Sequence, residues 1–219
     1  MQTDNSVNVS AKSFDQEPLE LAKFLVGKVI RHKLADLWLA ARIIETEAYY
    51  LNEKGSHSSL GFTEARKAMF MTPGTIYMYY ARGGDSLNFS ARGEGNGVLI
   101  KSGVVHIDHQ SPKTNIKVMQ SMNPINGRVR SIERLCSGQT LLCKSLGLKV
   151  SDWNKKKLKR DRLILQDLGD SPSELIQTMR LGIPTGRDAH LPYRFLHPDF
   201  LHRATKNPLR AKHEIVHLT

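Results

Sequence analysis

Two strand-length runs, residues 28–34 and 37–50, are separated by only two residues, and that spacing dictates an antiparallel hairpin. The second run constrains the chain most. In Arg42-Ile-Ile-Glu-Thr-Glu-Ala-Tyr-Tyr50, strict alternation puts Ile43, Glu45, Glu47 and Tyr49 on one face and Ile44, Thr46, Ala48 and Tyr50 on the other. A strand that starts apolar and carries two carboxylates toward its end runs out of a core into a cleft. Glu47 and Tyr49 are then same-face neighbours roughly 7 Å apart along the strand. A carboxylate beside an aromatic wall acts as a general base or stabilises a developing cation in a partly desolvated pocket. The alternative is structural: both glutamates pair with arginines on the sheet surface.

The rest of the chain mixes strands and helices without a regular βαβ alternation. Residues 18–25 have helical spacing, a proline suited to a first turn and Gly27 as a stop. Residues 63–71, 116–122 and 138–146 read as helices, and 75–80, 86–90 and 98–107 as strands, the last broken at Ser102-Gly103. Ser171-Pro-Ser-Glu174 has the form of a capping box that opens a short helix. Short strands and loops follow Met179. The expected fold is α+β, a single domain around a curved antiparallel sheet with peripheral helices. Residues 1–12 read as a flexible tail, 13–205 as the domain and 206–219 as a second tail.

A net charge of +11, from 32 Lys and Arg against 21 Asp and Glu, points to a polyanionic partner, nucleic acid before others, or else to a solvated basic surface. No apolar run approaches the roughly 20 residues of a membrane span, and the polar N-terminus lacks a secretory core, so an intracellular protein without a membrane partner is expected. Cys136 and Cys143 lack Cys-x-x-Cys spacing and read as reduced thiols.

A second hairpin is expected in Gly74-Thr-Ile-Tyr-Met-Tyr-Tyr-Ala-Arg-Gly-Gly-Asp-Ser-Leu-Asn-Phe-Ser90, with Gly83-Gly84 in its turn. Tyr77 and Tyr79 share a face, and Arg82 stands at or beside the tip. Aromatic strands ending in a basic, glycine-rich tip suit nucleic acid, the rings stacking on bases while the tip enters a groove. The alternative is tyrosines packed in a sheet with a solvated arginine. Asn88, on the return strand, either meets a base edge or bridges strands. Ser137-Gly138, before the Leu141/Leu142 run, offers N–H groups at a helix start to a phosphate. Lys155-Lys-Lys-Leu-Lys-Arg160 touches phosphates, serves as a localisation signal or is a solvated helix end.

His213-Glu-Ile-Val-His217 matches H-E-x-x-H literally, but a zinc site needs a helix, a third ligand and a cleft. The match stands two residues from the C-terminus, so neither a metal site nor a metallopeptidase is expected. His106, His109, His197 and His202 read as surface or core residues.

Together these residues resemble the 3-methyladenine DNA glycosylases of the alkyladenine type. The likeness is carried by Arg42-Ile-Ile-Glu-Thr-Glu-Ala-Tyr49, His57 and Met69-Phe-Met-Thr-Pro-Gly-Thr-Ile-Tyr-Met-Tyr79. It continues through Leu87-Asn88, Gly93-Glu-Gly-Asn-Gly-Val-Leu-Ile100, Leu135-Cys-Ser-Gly138, Leu181-Gly-Ile183 and Pro192-Tyr-Arg-Phe195, in order from about residue 13 to about 200. The resemblance implies a monofunctional enzyme that flips an alkylated or deaminated purine out of duplex DNA and hydrolyses its N-glycosidic bond. Glu47 would deprotonate the attacking water and stabilise an oxocarbenium-like sugar. Tyr49, His57 and Tyr79 would line the base pocket, their rings favouring a cationic base, and Asn88 would stand against the guanine 2-amino group. No metal or organic cofactor is implied. The partner is double-stranded DNA with a damaged purine, the enzyme a monomer, and the setting a bacterial cytoplasm rather than a eukaryotic nucleus. A weakly catalytic or non-catalytic damage-binding module on the same fold is the rival reading.

The chain departs from the family at three places. The family carries a tyrosine wedge at the hairpin tip, where this chain offers Arg82 or, with a one-residue shift, Tyr80. Lys101 replaces an arginine, keeping a charge for DNA phosphates but not the two-pronged geometry. Gln139 replaces a proline after Ser137-Gly138. With these, Arg82, Tyr80, Lys101, Ser137 and Gly138 are the expected DNA contacts.

Overall fold

The computed structural model describes residues 6–81, 83–205 and 213–218. In chain order the strands are β1 (Val7–Asn8), β2 (Val29–Leu34), β3 (Leu37–Tyr49), β4 (Ile76–Ala81), β5 (Gly84–Ser90), β6 (Gly97–Val105), β7 (Leu163–Asp167), β8 (Glu174–Thr178), β9 (Arg194–Leu196) and β10 (His213–His217). The helices are α1 (Pro18–Leu25), α2 (Ile116–Met122), α3 (Gln139–Leu146) and α4 (Val150–Trp153). The ten strands form one open antiparallel sheet in the order β1-β7-β2-β3-β6-β5-β4, with β9, β8 and β10 added in turn from β3. This is the expected α+β architecture. None of the described helices is long and apolar enough to cross a membrane.

The sheet is organised by β3. Its first half pairs with β2 across a two-residue turn, where Ala35 takes a φ of +50°. Its second half pairs with β9, and β6 runs along its other edge. Leu21, Ala22 and Leu25 of α1, with Leu142, Cys143 and Leu146 of α3, close the main core over Leu39, Ala41, Ile43 and Ala48 of β3. Burial lifts the Cys136 thiol to about 12 and raises that of Cys143 further; both cysteines are free.

Strict alternation along β3 fails at one point. The β3–β6 register shifts between Ile43 and Glu45 and again between Glu45 and Thr46. Ile43 therefore stays on the main-core side, where the Thr46 hydroxyl donates to the Ala22 carbonyl at 2.8 Å, while Ile44 packs with Val104, Ile176, Leu196 and Ala204. Glu45, Glu47 and Tyr49 share a face as expected, but with Ile44 rather than Ile43. The expected break at Ser102-Gly103 is the partner of this bulge, because β6 continues through it.

Two other expectations change. Ser171-Pro-Ser-Glu174 leads into strand β8, not a helix. The Ser171 hydroxyl accepts from Lys28 Nζ at 2.7 Å, and Pro172 lies so close to Gly27 that a Cβ there would stand 2.9 Å from its ring. The residues that follow pair with β9 and β10. Of residues 63–71, only Lys67–Phe70 is helical, as a 3-10 turn.

The H-E-x-x-H residues form β10, in the stretch expected as a tail. On an extended strand the two histidines are roughly 13 Å apart along its axis, and His217 Nδ1 lies 3.2 Å from Glu174. No group of three His, Cys, Asp or Glu placed to hold a metal occurs among the described residues.

Candidate active site

The two carboxylates of β3 separate by what surrounds them. Glu45 is fully buried and accepts from Arg194 Nε at 2.6 Å, Ser102 Oγ at 2.6 Å, Thr205 Oγ1 at 2.7 Å and Thr205 N–H at 2.9 Å. With four donors around it, Glu45 ties β3 to β9 and to the chain after Arg203. Its arginine partner is the one that the structural alternative called for, but in the interior rather than on the surface.

Glu47, two residues on, is also fully buried, but its partners differ. Tyr49 OH donates to Oε2 at 2.7 Å, Lys101 Nζ lies 3.3 Å from both oxygens, and the Leu181 N–H donates to Oε1 at 3.3 Å. Tyr49, Lys101 and Leu181 all line a pocket of about 360 Å³, so Glu47 lies one hydrogen bond behind its wall. Burial pushes the Glu47 carboxyl up. The Lys101 ammonium, the Tyr49 hydroxyl, Arg194 and the Leu181 N–H outweigh that and hold it below the usual carboxylate value. A carboxylate thus stays ionised in a dry site.

The bulge puts Lys101 there. Glu45 pairs with Ser102 and Thr46 with Ile100, which leaves Lys101 as the extra residue on β6. Both Lys101 and Ser102 then turn toward the glutamates, where regular alternation would separate them. Lys101, expected on DNA phosphates, is buried with its ammonium on Glu47.

The other walls are aromatic. β4 aims Tyr77 and Tyr79 the same way, their ring centroids 5.6 Å apart, and His57 stands edge-on to Tyr79 at 4.5 Å. His57 Nδ1 lies 3.3 Å from the Tyr77 hydroxyl. Burial, with Arg66 and Arg187 nearby, lowers the His57 pKa and leaves the ring neutral at pH near 7. Burial and the adjacent Tyr79 lift the Tyr77 phenol to about 12. Burial and the Glu47 charge raise that of Tyr49 well above normal, so it remains a donor. Asn88 lines the pocket with its amide nitrogen donating to the Tyr77 carbonyl at 3.1 Å, which fixes the side chain across β4 and β5.

At the hairpin tip, Ala81 pairs with Gly84, so Gly84 belongs to the strand and not, as expected, to the turn. Arg82 lies outside the described residues. Gly84 is required for packing, since a Cβ there would come 2.7 Å from Thr140 Cβ of α3. Tyr80 is 69% exposed and lines no part of the pocket. Ser137 Oγ donates to the carbonyls of Glu133 and Arg203, and Gly138, at φ +129°, caps α3. In the basic run, Lys157 Nζ donates to the carbonyls of Thr72 and Pro73, and Lys155 pairs with Glu64 at 3.2 Å.

The structure brings Tyr49, His57, Tyr79, Asn88 and Lys101 to the lining of one pocket, with Glu47 behind it. Sequence reasoning missed Met69, Leu99 and Gln139 of its lining, and Arg180 and Glu53 behind it. Gln139 Nε2 donates to Ser86 Oγ at 2.8 Å and lies 3.4 Å from Tyr79 OH. Its place next to Ser137-Gly138 was the one local signal.

The pattern that defines the methylpurine-DNA glycosylase family matches residues 12–200. The chain is 61% identical over 198 residues to a Pseudomonas aeruginosa protein named "Putative 3-methyladenine DNA glycosylase", a match covering 90% of this chain and 83% of the relative. A Pseudomonas syringae pv. tomato protein of the same name is 58% identical over 198 residues, covering 90% of this chain and 89% of its own. The mouse DNA-3-methyladenine glycosylase is 32% identical over 206 residues, covering 88% of this chain and 60% of the mouse protein. With an aromatic pocket backed by an ionised glutamate, and a family match running through both, this chain belongs to the methylpurine-DNA glycosylase family.

Proposed function

We propose that the protein is a monofunctional DNA glycosylase that takes an alkylated or deaminated purine from duplex DNA into the 360 Å³ pocket and hydrolyses its N-glycosidic bond. The observation that carries this reading is Glu47, a fully buried carboxylate held ionised one hydrogen bond behind Tyr49, Lys101 and Leu181 of an aromatic pocket. As the glycosidic bond breaks, its electron pair leaves with the purine and positive charge develops on the sugar. A fixed negative charge at low dielectric stabilises that charge more than it stabilises the uncharged sugar of the ground state. Glu47 then takes a proton from the water that adds to C1′, leaving an abasic site. Its depressed pKa makes it a weak base, so the larger contribution is Coulombic. Tyr49, His57 and Tyr79 would enclose the purine, and Asn88 would face its 2-position. Either Arg82 or Tyr80 fills the gap in the stack, with Ser137 and Gly138 on the phosphates of the DNA. The enzyme acts as a monomer on chromosomal DNA inside the cell.

Single-turnover assays on duplexes that each carry one 3-methyladenine, 7-methylguanine, hypoxanthine or etheno-adenine test this. Free base and an alkali-labile site are expected from at least one. Lesion-selective binding without release from any of the four overturns the catalytic reading in favour of a damage-binding module.

Lys101 is expected to act through Glu47. In Lys101→Met the largest opponent of burial is gone, so the Glu47 pKa rises and protonation begins at higher pH. Because the ionised form is the active one, the acid limb of the excision profile moves up, and the variant loses more activity at about pH 6 than at about pH 8. A pH–rate series on one neutral lesion checks this, and an unmoved limb would show that another group keeps Glu47 ionised.

A further inference from the structure

We propose that Arg180 is a positioning residue that holds Tyr49 from behind and, through the same contact, sets how strongly the pocket prefers cationic over neutral bases. This rests on the functional reading above. The Arg180 guanidinium carbon stands 4.5 Å over the Tyr49 ring and 5.4 Å from the Tyr193 ring. Its nitrogens are held by Glu53, with Nη2 at 2.7 Å from Oε2, and by the Ala48 carbonyl at 2.9 Å. Tyr49 lines the pocket and Arg180 does not. The guanidinium therefore covers the side of the ring away from the incoming base. It also precedes Leu181, whose N–H donates to Glu47.

Two consequences follow from this placement. The first is geometric: Arg180 fixes the neighbours of Glu47 on both sides, the ring whose hydroxyl donates at 2.7 Å and the segment that supplies the Leu181 N–H. The second is electrostatic. A ring that already holds a cation on one face is a poorer acceptor for a second cation on the other, because its π density is drawn to the first and the two charges repel across the ring. Glu53 offsets part of that repulsion. Tyr49 is thus less selective for a positively charged base than an uncovered ring would be, and the Arg180–Glu53 pair adjusts the balance.

The test uses the full-length protein and two duplexes, one with 7-methylguanine, a fixed cation, and one with hypoxanthine, which is neutral. The readout is the ratio of kcat/KM for the two. In Arg180→Met combined with Glu53→Gln, both charges go and the nearer one was positive, so the cationic-to-neutral ratio should rise at least about threefold. In Glu53→Gln alone the arginine charge is unbalanced, and the ratio should fall by a similar factor. Arg180→Lys keeps the charge but not the flat fork. It should lower kcat for both lesions more than it raises KM, and leave the ratio within about twofold of wild type. A purely structural role would slow both lesions alike in every variant. Should the double variant not fold, as judged by its thermal unfolding, a lowered ratio in Glu53→Gln beside an unchanged ratio in Arg180→Lys decides the question. A ratio within about twofold of wild type in folded Glu53→Gln, and in the double variant where it folds, overturns this inference and leaves the enzyme assignment intact. A wild-type protein that releases neither base overturns the functional reading, and this inference with it.

Discussion

Glu47→Gln is expected to lower the single-turnover excision rate by at least about a hundredfold, roughly 2.7 kcal/mol of transition-state stabilisation, with lesion-DNA affinity within a few-fold of wild type. Glutamine keeps the shape and one acceptor for the Tyr49 hydroxyl. It removes the negative charge and places an amide donor where Lys101 Nζ and the Leu181 N–H also donate. The developing sugar cation then meets Lys101 with no carboxylate to balance it. Excision on duplexes with one defined lesion, paired with equilibrium binding to the same duplexes, reads the two effects separately. Retention of more than about a tenth of the rate, a loss under about 1.4 kcal/mol, would mean that Glu47 is not the catalytic carboxylate. Glu45 would not replace it, because its four donors are structural and it has no access to the pocket.

The largest effect on stability is expected at Arg194. Arg194→Met leaves Glu45 fully buried with Ser102 and Thr205 as its remaining partners and no balancing charge. Breaking such a pair from one side costs about 3–5 kcal/mol. Since a domain of this kind is stable by only about 5–15 kcal/mol, that is a large fraction of the whole. Urea unfolding of the variant beside wild type measures it. Combining Arg194→Met with Glu45→Leu should recover much of the loss, because two apolar groups replace the two charges and neither is stranded. A single variant within about 1 kcal/mol of wild type would show that the pair contributes little to holding β9 on β3.

Much of this was readable along the chain. The turn between residues 34 and 37, the helix opened by Pro18, the tyrosines of β4 and the shared face of Glu45, Glu47 and Tyr49 all follow from interactions within a few residues. Periodicity and turn chemistry report those directly. Where local signals misled, a distant contact had overridden them. The Ser171 capping hydroxyl is taken by Lys28, 143 residues away, and the strand after it completes a sheet. H-E-x-x-H is a strand because β8 offers an edge to pair with.

The sequence by itself determined the α+β composition, the central hairpin and the basic character, and the family resemblance pointed to Tyr49, His57, Tyr79 and Asn88, which line one pocket. The tertiary structure alone decided the partners of each buried charge. Glu45 meets Arg194 at a separation of 149 residues, Glu47 meets Lys101 at 54, and Arg180 meets Glu53 at 127. A buried charge is stable only with a partner. Which partner it finds depends on how the strands register, and here the irregularity between Ile43 and Thr46 of β3 sets that register against β6.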